Sequence, residues 1–162
     1  MNIEIEMENG GIIKAELYPD VAPITVENFV SLIERNFFDG LIFHRVIPGF
    51  MIQGGGFTAD GQHKEADSIK GEFDGNGVTN PLKHTRGVLS MARTMFPNSA
   101  SSQFFIMHED APHLDGQYAG FGKVTSGMDI VDKICKDTPV TDSNGTVEKE
   151  NQPVIEKITV KD

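Results

Sequence analysis

The chain has 162 residues, enough for a single domain that spans residues 1–162 and buries a core of its own. Its formal net charge is −10, which argues against a nucleic-acid partner, because phosphate backbones are bound by clustered lysines and arginines. The N-terminus lacks the basic and apolar regions of a signal peptide, and no apolar stretch approaches the roughly 18 residues of a membrane span. We therefore expect a cytoplasmic protein without a nucleic-acid or membrane partner.

The first predicted elements are two strands. Ile3, Ile5 and Met7 alternate with glutamates, which is the period-two pattern of a half-buried strand. A turn signal over residues 9–11 follows, and residues 12–18 form a second apolar run. We expect the two strands to pair as a β-hairpin.

The next segment has a helical period. Pro23 suits a first helical turn, and apolar side chains recur three and four positions apart at Val26, Phe29, Val30 and Ile33. The spacing predicts a helix that ends in the segment 36–40.

A second helix is predicted near the C-terminal end, where Met128, Val131, Ile134 and Cys135 share one face and Ser126 is a candidate N-cap. Cys135 is the only cysteine, so an intrachain disulfide is excluded and a reducing compartment is expected. Its apolar surroundings predict a buried structural thiol rather than a reactive one.

The remaining apolar runs are short enough to be strands, and turn residues separate several of them. They cover residues 41–47, 50–53, 86–92, 103–107, 119–124 and 154–160. Many strands with only two helices predict a closed or nearly closed antiparallel barrel. The polar segment 58–85 is expected to be a functional or tethered loop, and segment 136–152 a surface excursion.

The run from residue 43 to residue 56 carries the most chemical information. It combines one guanidinium, one amide and several large apolar side chains without a nucleophile or an acid–base pair. Because side chains alternate along a strand, Arg45 is expected to share a face with Phe43 and Ile47. Met51 and Gln53 should likewise share one face of their strand, and Gln103, Phe105 and Met107 should share one face of theirs. Together these strands could present a polar and apolar site; the alternative is a surface arginine over a barrel core.

Other kinds of site have no support in the sequence. Gly54–Gly56 is not followed by the lysine and hydroxyl of a phosphate loop, and no G-x-S-x-G nucleophile elbow occurs. The five histidines lack metal-ligand spacing, and the segment 74–77 lacks the later ligands of a calcium loop. We expect no metal and no cofactor.

Several motifs in a fixed order resemble the cyclophilins, which are peptidyl-prolyl cis–trans isomerases. The matching segments are FHRVIPGFMIQGG (43–55), GVLSMAR (87–93), SQFFI (102–106), LDG (114–116), FGKV (121–124) and GMDIV (127–131). The resemblance spans nearly the whole chain, from the first hairpin to residues 155–160. It implies a mainly β fold, a closed eight-stranded antiparallel barrel capped by two α-helices, with the site on the outer face of the barrel.

The resemblance also implies roles for individual residues. Arg45 and Gln53 are the catalytic candidates, with Arg45 donating a hydrogen bond to the proline nitrogen of a twisted amide. The substrate-binding candidates are Phe50, Met51, Ala92, Arg93, Gln103, Phe105, His113, Leu114 and Tyr118. From the residues alone, core packing is the better interpretation of the pocket apolars, and a surface amide is the better interpretation of either glutamine.

Three positions depart from the best-known members of the family. His113 stands where they have Trp, Tyr118 where they have a pocket His, and Arg93 where they commonly have Asn. Because the indole also contacts the inhibitor cyclosporin, we expect cyclosporin binding to be weakened by His113 while isomerase activity is retained. At position 118, bacterial members of the family resemble this chain. His44, next to Arg45, should point to the opposite face and be structural.

The expected partners are proline-containing peptides and unfolded or flexible protein segments, which fits a chaperone-like isomerase in protein folding. The protein is expected to be a monomer. Two alternatives stay open: a module that binds proline-containing loops without turnover, and a scaffold within a larger assembly. Arg45 favours catalysis, because simple binding would not require it.

Overall fold

A computed structural model describes all residues of the chain, from Met1 to Asp162, as eight strands and two α-helices. In chain order they are β1 (Asn2–Met7), β2 (Ile12–Leu17), α1 (Pro23–Glu34), β3 (Leu41–Ile47), β4 (Met51–Thr58), β5 (Val88–Met91), β6 (Phe104–Met107), β7 (Gly120–Ser126), α2 (Met128–Asp137) and β8 (Ile155–Val160). Neither helix has both the length and the apolar character needed to cross a membrane.

The strands form one antiparallel sheet in the order β3-β4-β6-β5-β7-β2-β1-β8. Its two edge strands meet through a bridge between Ile42 and Val154. Backbone N–H groups of Gly40 and Phe43 also donate to the carbonyls of Ile155 and Pro153, at 2.8 and 3.0 Å. The sheet is thus a nearly closed barrel, which confirms the predicted fold class.

Aromatic side chains fill the interior of the barrel. Phe29 of α1 is fully buried, and its ring centroid lies 5.0 to 5.2 Å from those of Phe38, Phe104 and Phe121. Both helices add side chains to this interior cluster, as their apolar spacing predicted. Truncating Phe29 to Ala would cost about 3–5 kcal/mol of unfolding free energy, typical of a large core residue.

A second, smaller apolar cluster lies outside the barrel wall. Because side chains alternate across a strand, β4, β5 and β6 send every other residue outward. These residues are covered in part by the segment 108–118, and the cluster consists of Met51, Val88, Phe105, Met107, Ala111 and Leu114. This outer cluster, rather than the main core, forms the base of the candidate site.

The prediction that Phe43 shares a face with Arg45 is wrong. Phe43 pairs with Gly54 while Arg45 pairs with Gln53, so β3 holds one extra residue between the two pairs. This bulge turns Phe43 into the interior cluster, whereas Arg45 and Ile47 face the outer cluster. Strict alternation fails wherever a bulge adds a residue to one strand.

The Ser126 N-cap prediction is also wrong. Ser126 is the last residue of β7, and α2 begins after Gly127, whose φ of 96° lies in the left-handed region. No side chain caps this helix. A Cβ at this position would overlap the Ile12 carbonyl oxygen, so strand β2 approaches too closely for any residue but glycine.

Candidate functional site

The predicted site residues surround one open cavity of about 380 Å³ on the outer face of the barrel. Ten residues line it: Arg45, Phe50, Met51, Gln53, Ala92, Arg93, Phe105, His113, Leu114 and Tyr118. Of the eleven residues named from the sequence, only Gln103 does not line the cavity. They come from segments far apart in the chain, which the barrel brings together.

The base of the cavity is apolar and well packed. Met51, Phe105 and Leu114 are 2%, 5% and 8% exposed and belong to the outer cluster. The ring of Tyr118 meets Phe105 edge-on, with centroids 5.8 Å apart. A concave apolar surface of this kind can hold a small ring and exclude water from it.

Arg45 is one of the two arginines that line the cavity, and its guanidinium is fixed from two sides. Its Nε donates to the carbonyl oxygen of Asn144 at 2.8 Å, and its Nη1 donates to Gln53 Oε1 at 3.3 Å. Gln53 Nε2 in turn donates to Gln103 Oε1 at 3.1 Å. Gln103 therefore stands behind the cavity as a support for Gln53 rather than as part of its wall.

Gly56 provides the space that Gln103 needs. A Cβ at residue 56 would overlap the Gln103 side chain. Only glycine at this position leaves room for Gln103 to pack beside β4. Strand β4 differs from the prediction only in length, since it continues through these glycines to Thr58.

The Asn144 carbonyl belongs to a turn within the segment 136–152, the predicted surface excursion. Asp142 holds this turn closed, accepting hydrogen bonds from Asn144 N at 3.0 Å and from Thr146 N and Oγ1 at 3.2 and 3.0 Å. The bonds from Thr146 lower the pKa of the Asp142 carboxyl. Val46 N also donates to the Gly145 carbonyl at 2.8 Å, which seats the turn on β3. The composition of residues 142–145 signals a turn, but nothing local shows that it rests against Arg45.

Phe50 forms one rim of the cavity, and His108 holds the turn before it. Gly49, with φ of 81°, donates its N–H to His108 Nδ1 at 2.8 Å, and His108 N donates to the Phe50 carbonyl at 2.9 Å. The other ring nitrogen of His108 lies 3.1 Å from Asp132 of α2. The rim is therefore tied to a helix outside the cavity.

A buried polar group anchors the segment that carries His113, Leu114 and Tyr118. His84 is almost fully buried, with Nδ1 3.1 Å from Asp115 and Nε2 2.8 Å from the Ser90 hydroxyl. Its backbone N–H also donates to Asp115 at 2.6 Å. Burial lowers the pKa of His84 although the Asp115 carboxylate acts in the opposite direction. The neutral ring donates to Asp115 and accepts from Ser90, a role that no local pattern in the sequence indicates.

The Arg93 side chain holds two parts of the site together. Its Nη2 and Nε donate to the Gln117 carbonyl at 2.6 and 3.2 Å. Its guanidinium lies over the rings of Tyr118 and Phe73, 4.6 and 4.7 Å from their centroids. The side chain thus fastens the Tyr118 segment to the end of β5.

His113 is an exposed rim residue beside Phe50, in the short 3₁₀ turn Pro112–Leu114, with its ring centroid 5.7 Å from that of Phe50. His44, by contrast, does not line the cavity. Its ring packs 4.7 Å from Phe57, and burial lowers its pKa to about 4. The surroundings of His44 agree with the expected structural role.

The arrangement limits the chemistry of the cavity. It has an oriented guanidinium beside an apolar surface, and no hydroxyl or thiol nucleophile lines it apart from the Tyr118 phenol. Cys135 is buried elsewhere, where desolvation raises its pKa to about 11. No group of histidines, cysteines and carboxylates in the structure could hold a metal ion. The cavity can therefore bind an apolar, amide-bearing ligand and polarise it.

Comparison with known proteins finds matches along nearly the whole chain. Residues 2–160 match the family model for cyclophilin type peptidyl-prolyl cis-trans isomerases. The chain is 51% identical to a peptidyl-prolyl cis-trans isomerase of Acinetobacter baylyi over 140 residues, covering 82% of this chain and 72% of the relative. It is 46% identical to peptidyl-prolyl cis-trans isomerase B of Bacillus subtilis over 144 residues, covering 89% and 92%.

Solved structures agree with the sequence relatives. A cyclophilin type isomerase of Cryptosporidium parvum, crystallised in the presence of the dipeptide Ala-Pro, superposes with a TM-score of 0.80 at 28% identity. The superposition covers 100% of this chain and 99% of that protein.

Proposed function

The chain belongs to the cyclophilin-type peptidyl-prolyl cis–trans isomerases, and we propose that it accelerates rotation about X–Pro bonds in the cavity beside Arg45. The observation that carries the choice of site is the guanidinium of Arg45, pre-oriented at the edge of an apolar pocket. Isomerisation needs no nucleophile and no base, so the chemistry of the cavity suits this reaction.

The reaction requires the amide to lose its resonance. Rotation about an X–Pro bond is slow without catalysis, taking roughly 10–100 s at room temperature. In the twisted amide the proline nitrogen regains a lone pair that can accept a hydrogen bond. A catalyst that binds this twisted state about 5.4 kcal/mol better than the planar states accelerates rotation about ten-thousand-fold.

Arg45 is the proposed donor to that nitrogen. Its Nε and Nη1 are engaged by Asn144 and Gln53, which leaves Nη2 free to donate into the cavity. Because both supports are already in place, little reorganisation accompanies the reaction. A guanidinium does not lose its proton in proteins, so the role is electrostatic.

The apolar base is the proposed proline pocket. Met51, Phe105 and Leu114 offer the ring a dry surface, while Phe50 and Tyr118 limit its movement. Holding the ring still while the rest of the peptide turns converts binding energy into rotation of one bond.

Proline-containing peptides and flexible protein segments are the proposed substrates, which is consistent with the Ala-Pro dipeptide used with the Cryptosporidium parvum relative. A cytoplasmic location, a chaperone-like role, a monomeric state and weakened cyclosporin binding stay predictions. The single cysteine and the bacterial relatives are consistent with the first of these.

The decisive experiment compares the parent with Arg45→Ala in an exchange assay on an X–Pro peptide. We expect the variant to lose about 100- to 1000-fold in kcat/KM, because a pre-oriented charged donor is removed from the transition state. The thermal midpoint should stay near that of the parent, since Arg45 is only partly buried.

Two further variants sharpen the result. Arg45→Lys should recover only part of the activity, because a point charge lacks the planar fork that Asn144 and Gln53 hold. Arg35→Ala, at an exposed arginine after α1, is the matched control and should resemble the parent. Near-parent activity in Arg45→Ala would refute the mechanism. Peptide binding without acceleration by the parent would leave only the binding-module alternative.

A further inference from the structure

Two neighbouring apolar side chains project into solvent just beyond the edge of the cavity. Met95 and Phe96 are 84% and 69% exposed, whereas no other exposed large hydrophobic residue exceeds the 44% of Ile12. Neither belongs to the interior cluster or to the outer cluster. Folding therefore does not account for the two side chains, which we call the apolar tip.

The loop that carries the apolar tip is well braced. Thr94 N donates to Ser99 Oγ at 2.9 Å, Ser99 Oγ donates to the Phe96 carbonyl at 2.7 Å, and Phe96 N donates to Thr94 Oγ1 at 3.2 Å. Just beyond, Asn98 Oδ1 accepts hydrogen bonds from Gly71 N and Asn76 Nδ2 at 3.0 and 2.9 Å. A braced loop loses little conformational entropy when its side chains bind a partner.

The apolar tip is continuous with the cavity along the chain. Ala92 and Arg93 line the cavity, and Met95 is only two residues further on. Since consecutive Cα atoms are about 3.8 Å apart, Met95 lies within about 8 Å of the cavity edge. An extended peptide advances about 3.3 Å per residue, so a substrate leaving the cavity on this side reaches the tip within a few residues.

The charge of the surrounding chain suits an apolar partner. The protein has 24 acidic residues, yet none occurs between Asp74 and Glu109. The loop thus belongs to the longest segment without carboxylates in a chain of net charge −10. Residues 94–99 carry no charged side chain at all, so an apolar segment can approach them without removing water from a charged group.

We propose that the apolar tip is an accessory contact for apolar residues that flank the proline in long, non-native polypeptides. The proposal builds on the proposed function, because the occupant is the same chain whose X–Pro bond lies in the cavity. A tetrapeptide is too short to reach the tip, whereas an unfolded protein segment is not. The tip would therefore make the enzyme favour apolar surroundings of proline without any change at Arg45.

The test uses the full chain and three peptides with one common X–Pro core. One is a tetrapeptide, one has leucine and phenylalanine at several positions on either side, and one has serine and asparagine there instead. The parent should show a higher kcat/KM on the apolar-flanked peptide than on the polar-flanked one. In the variant with both Met95→Ser and Phe96→Ser, kcat/KM on the apolar-flanked peptide should fall by about 5- to 20-fold and the preference should disappear. The reason is that both side chains no longer bury apolar surface against the peptide.

The kinetic constants distinguish an accessory contact from a structural effect. We expect the loss to appear mainly in KM, since the contact is remote from the rotating bond. The tetrapeptide should be turned over equally by parent and variant. Ile24→Ser removes another exposed apolar side chain, 42% exposed at the start of α1, and is the matched control that should leave all three peptides unaffected.

Several outcomes would overturn the proposal. They are equal kcat/KM of the parent on the two long peptides, an unchanged preference in the double variant, or a loss by that variant on the tetrapeptide. A parent that sediments as a dimer and a variant that sediments as a monomer would assign the tip to self-association instead. Titration of the same long peptides by fluorescence separates this test from the isomerase assay, because failure of turnover would leave the binding preference measurable.

Discussion

The Arg45 side chain has many rotamers in solution, and the protein restricts them with two hydrogen bonds of different origin. One partner is the side-chain amide of Gln53, which is held in turn by Gln103, and the other is a main-chain carbonyl about a hundred residues later in the chain. Immobilising an arginine side chain costs about 2 kcal/mol in rotamer entropy. This entropy is lost when the protein folds, and not again in each turnover. The role proposed for Arg45 therefore rests on two hydrogen bonds that are already in place in the folded protein.

The residue with the clearest predicted effect on inhibition is His113. It lies exposed on a rim of the cavity, where a larger indole would cover more apolar surface and extend its N–H further. We expect cyclosporin to inhibit the parent weakly, and His113→Trp to strengthen inhibition by about tenfold or more. Isomerase assays with increasing cyclosporin measure both, with the uninhibited rates compared first. Equal inhibition of parent and variant would show that His113 does not set the affinity.

At the scale of elements, strands β3, β4 and β6 supply four residues of the cavity, and turns and loops supply the other six. Contacts of further turns and loops hold both groups in place. The turn 142–146 supports Arg45, the turn before Phe50 rests on His108, and the segment 111–118 is fixed through His84. Each of these contacts joins parts of the chain that are far apart in sequence. A substitution in one of these turns should therefore alter the geometry of the cavity, even though none of the residues that line the cavity is replaced.

Gly145 offers a test of the turn that supports Arg45. Its φ is 78°, and a Cβ would overlap the Val46 carbonyl oxygen of β3. Gly145→Ala should displace the turn and its Asn144 carbonyl, lowering kcat/KM by about tenfold and stability by about 1 kcal/mol or more. Peptide exchange assays and denaturant titration measure the two effects.

Asn144→Ala is the matched control for that variant. It removes an exposed side chain but keeps the main-chain carbonyl that accepts from Arg45 Nε. We expect activity close to that of the parent. If Asn144→Ala lost activity while Gly145→Ala kept it, the carbonyl would not be the support that matters.

For the whole molecule, histidine burial couples stability to pH. Burial, then the charge of Arg45, lowers the pKa of His44 to about 4, and burial also lowers the pKa of His84. The unfolded chain binds protons on these rings at a higher pH than the folded protein does. The free energy of unfolding should consequently fall as the pH drops from about 6.5 toward about 4.

His44→Phe should remove one part of this dependence, because the ring beside Phe57 would no longer titrate. Between about pH 7 and about pH 5 the parent should lose about 2 kcal/mol more unfolding free energy than the variant. Urea titrations of both proteins at several pH values provide the comparison. Parallel curves for parent and variant would contradict the assignment to His44.

Local pattern in the sequence predicts most of the fold, and the resemblance to the cyclophilins predicts which residues form the site. The hairpin, both helices and the strands follow from apolar periodicity, because a helix or strand face must be buried whatever it packs against. The cyclophilin-like motifs named the ten residues that line the cavity, and the same order of motifs led to the shape of the barrel. Their individual roles remain to be tested by the variants described above.

Tertiary structure alone decided how those residues are held. The bulge that separates Phe43 from Arg45 depends on the register of β3 against β4, and Gly127 starts α2 because β2 lies close by. The Asn144 carbonyl and the His84–Asp115 pair join distant segments through contacts that have no periodicity. Apolar periodicity records which face of an element is buried, whereas these supports depend on which distant segment the closed barrel brings against it.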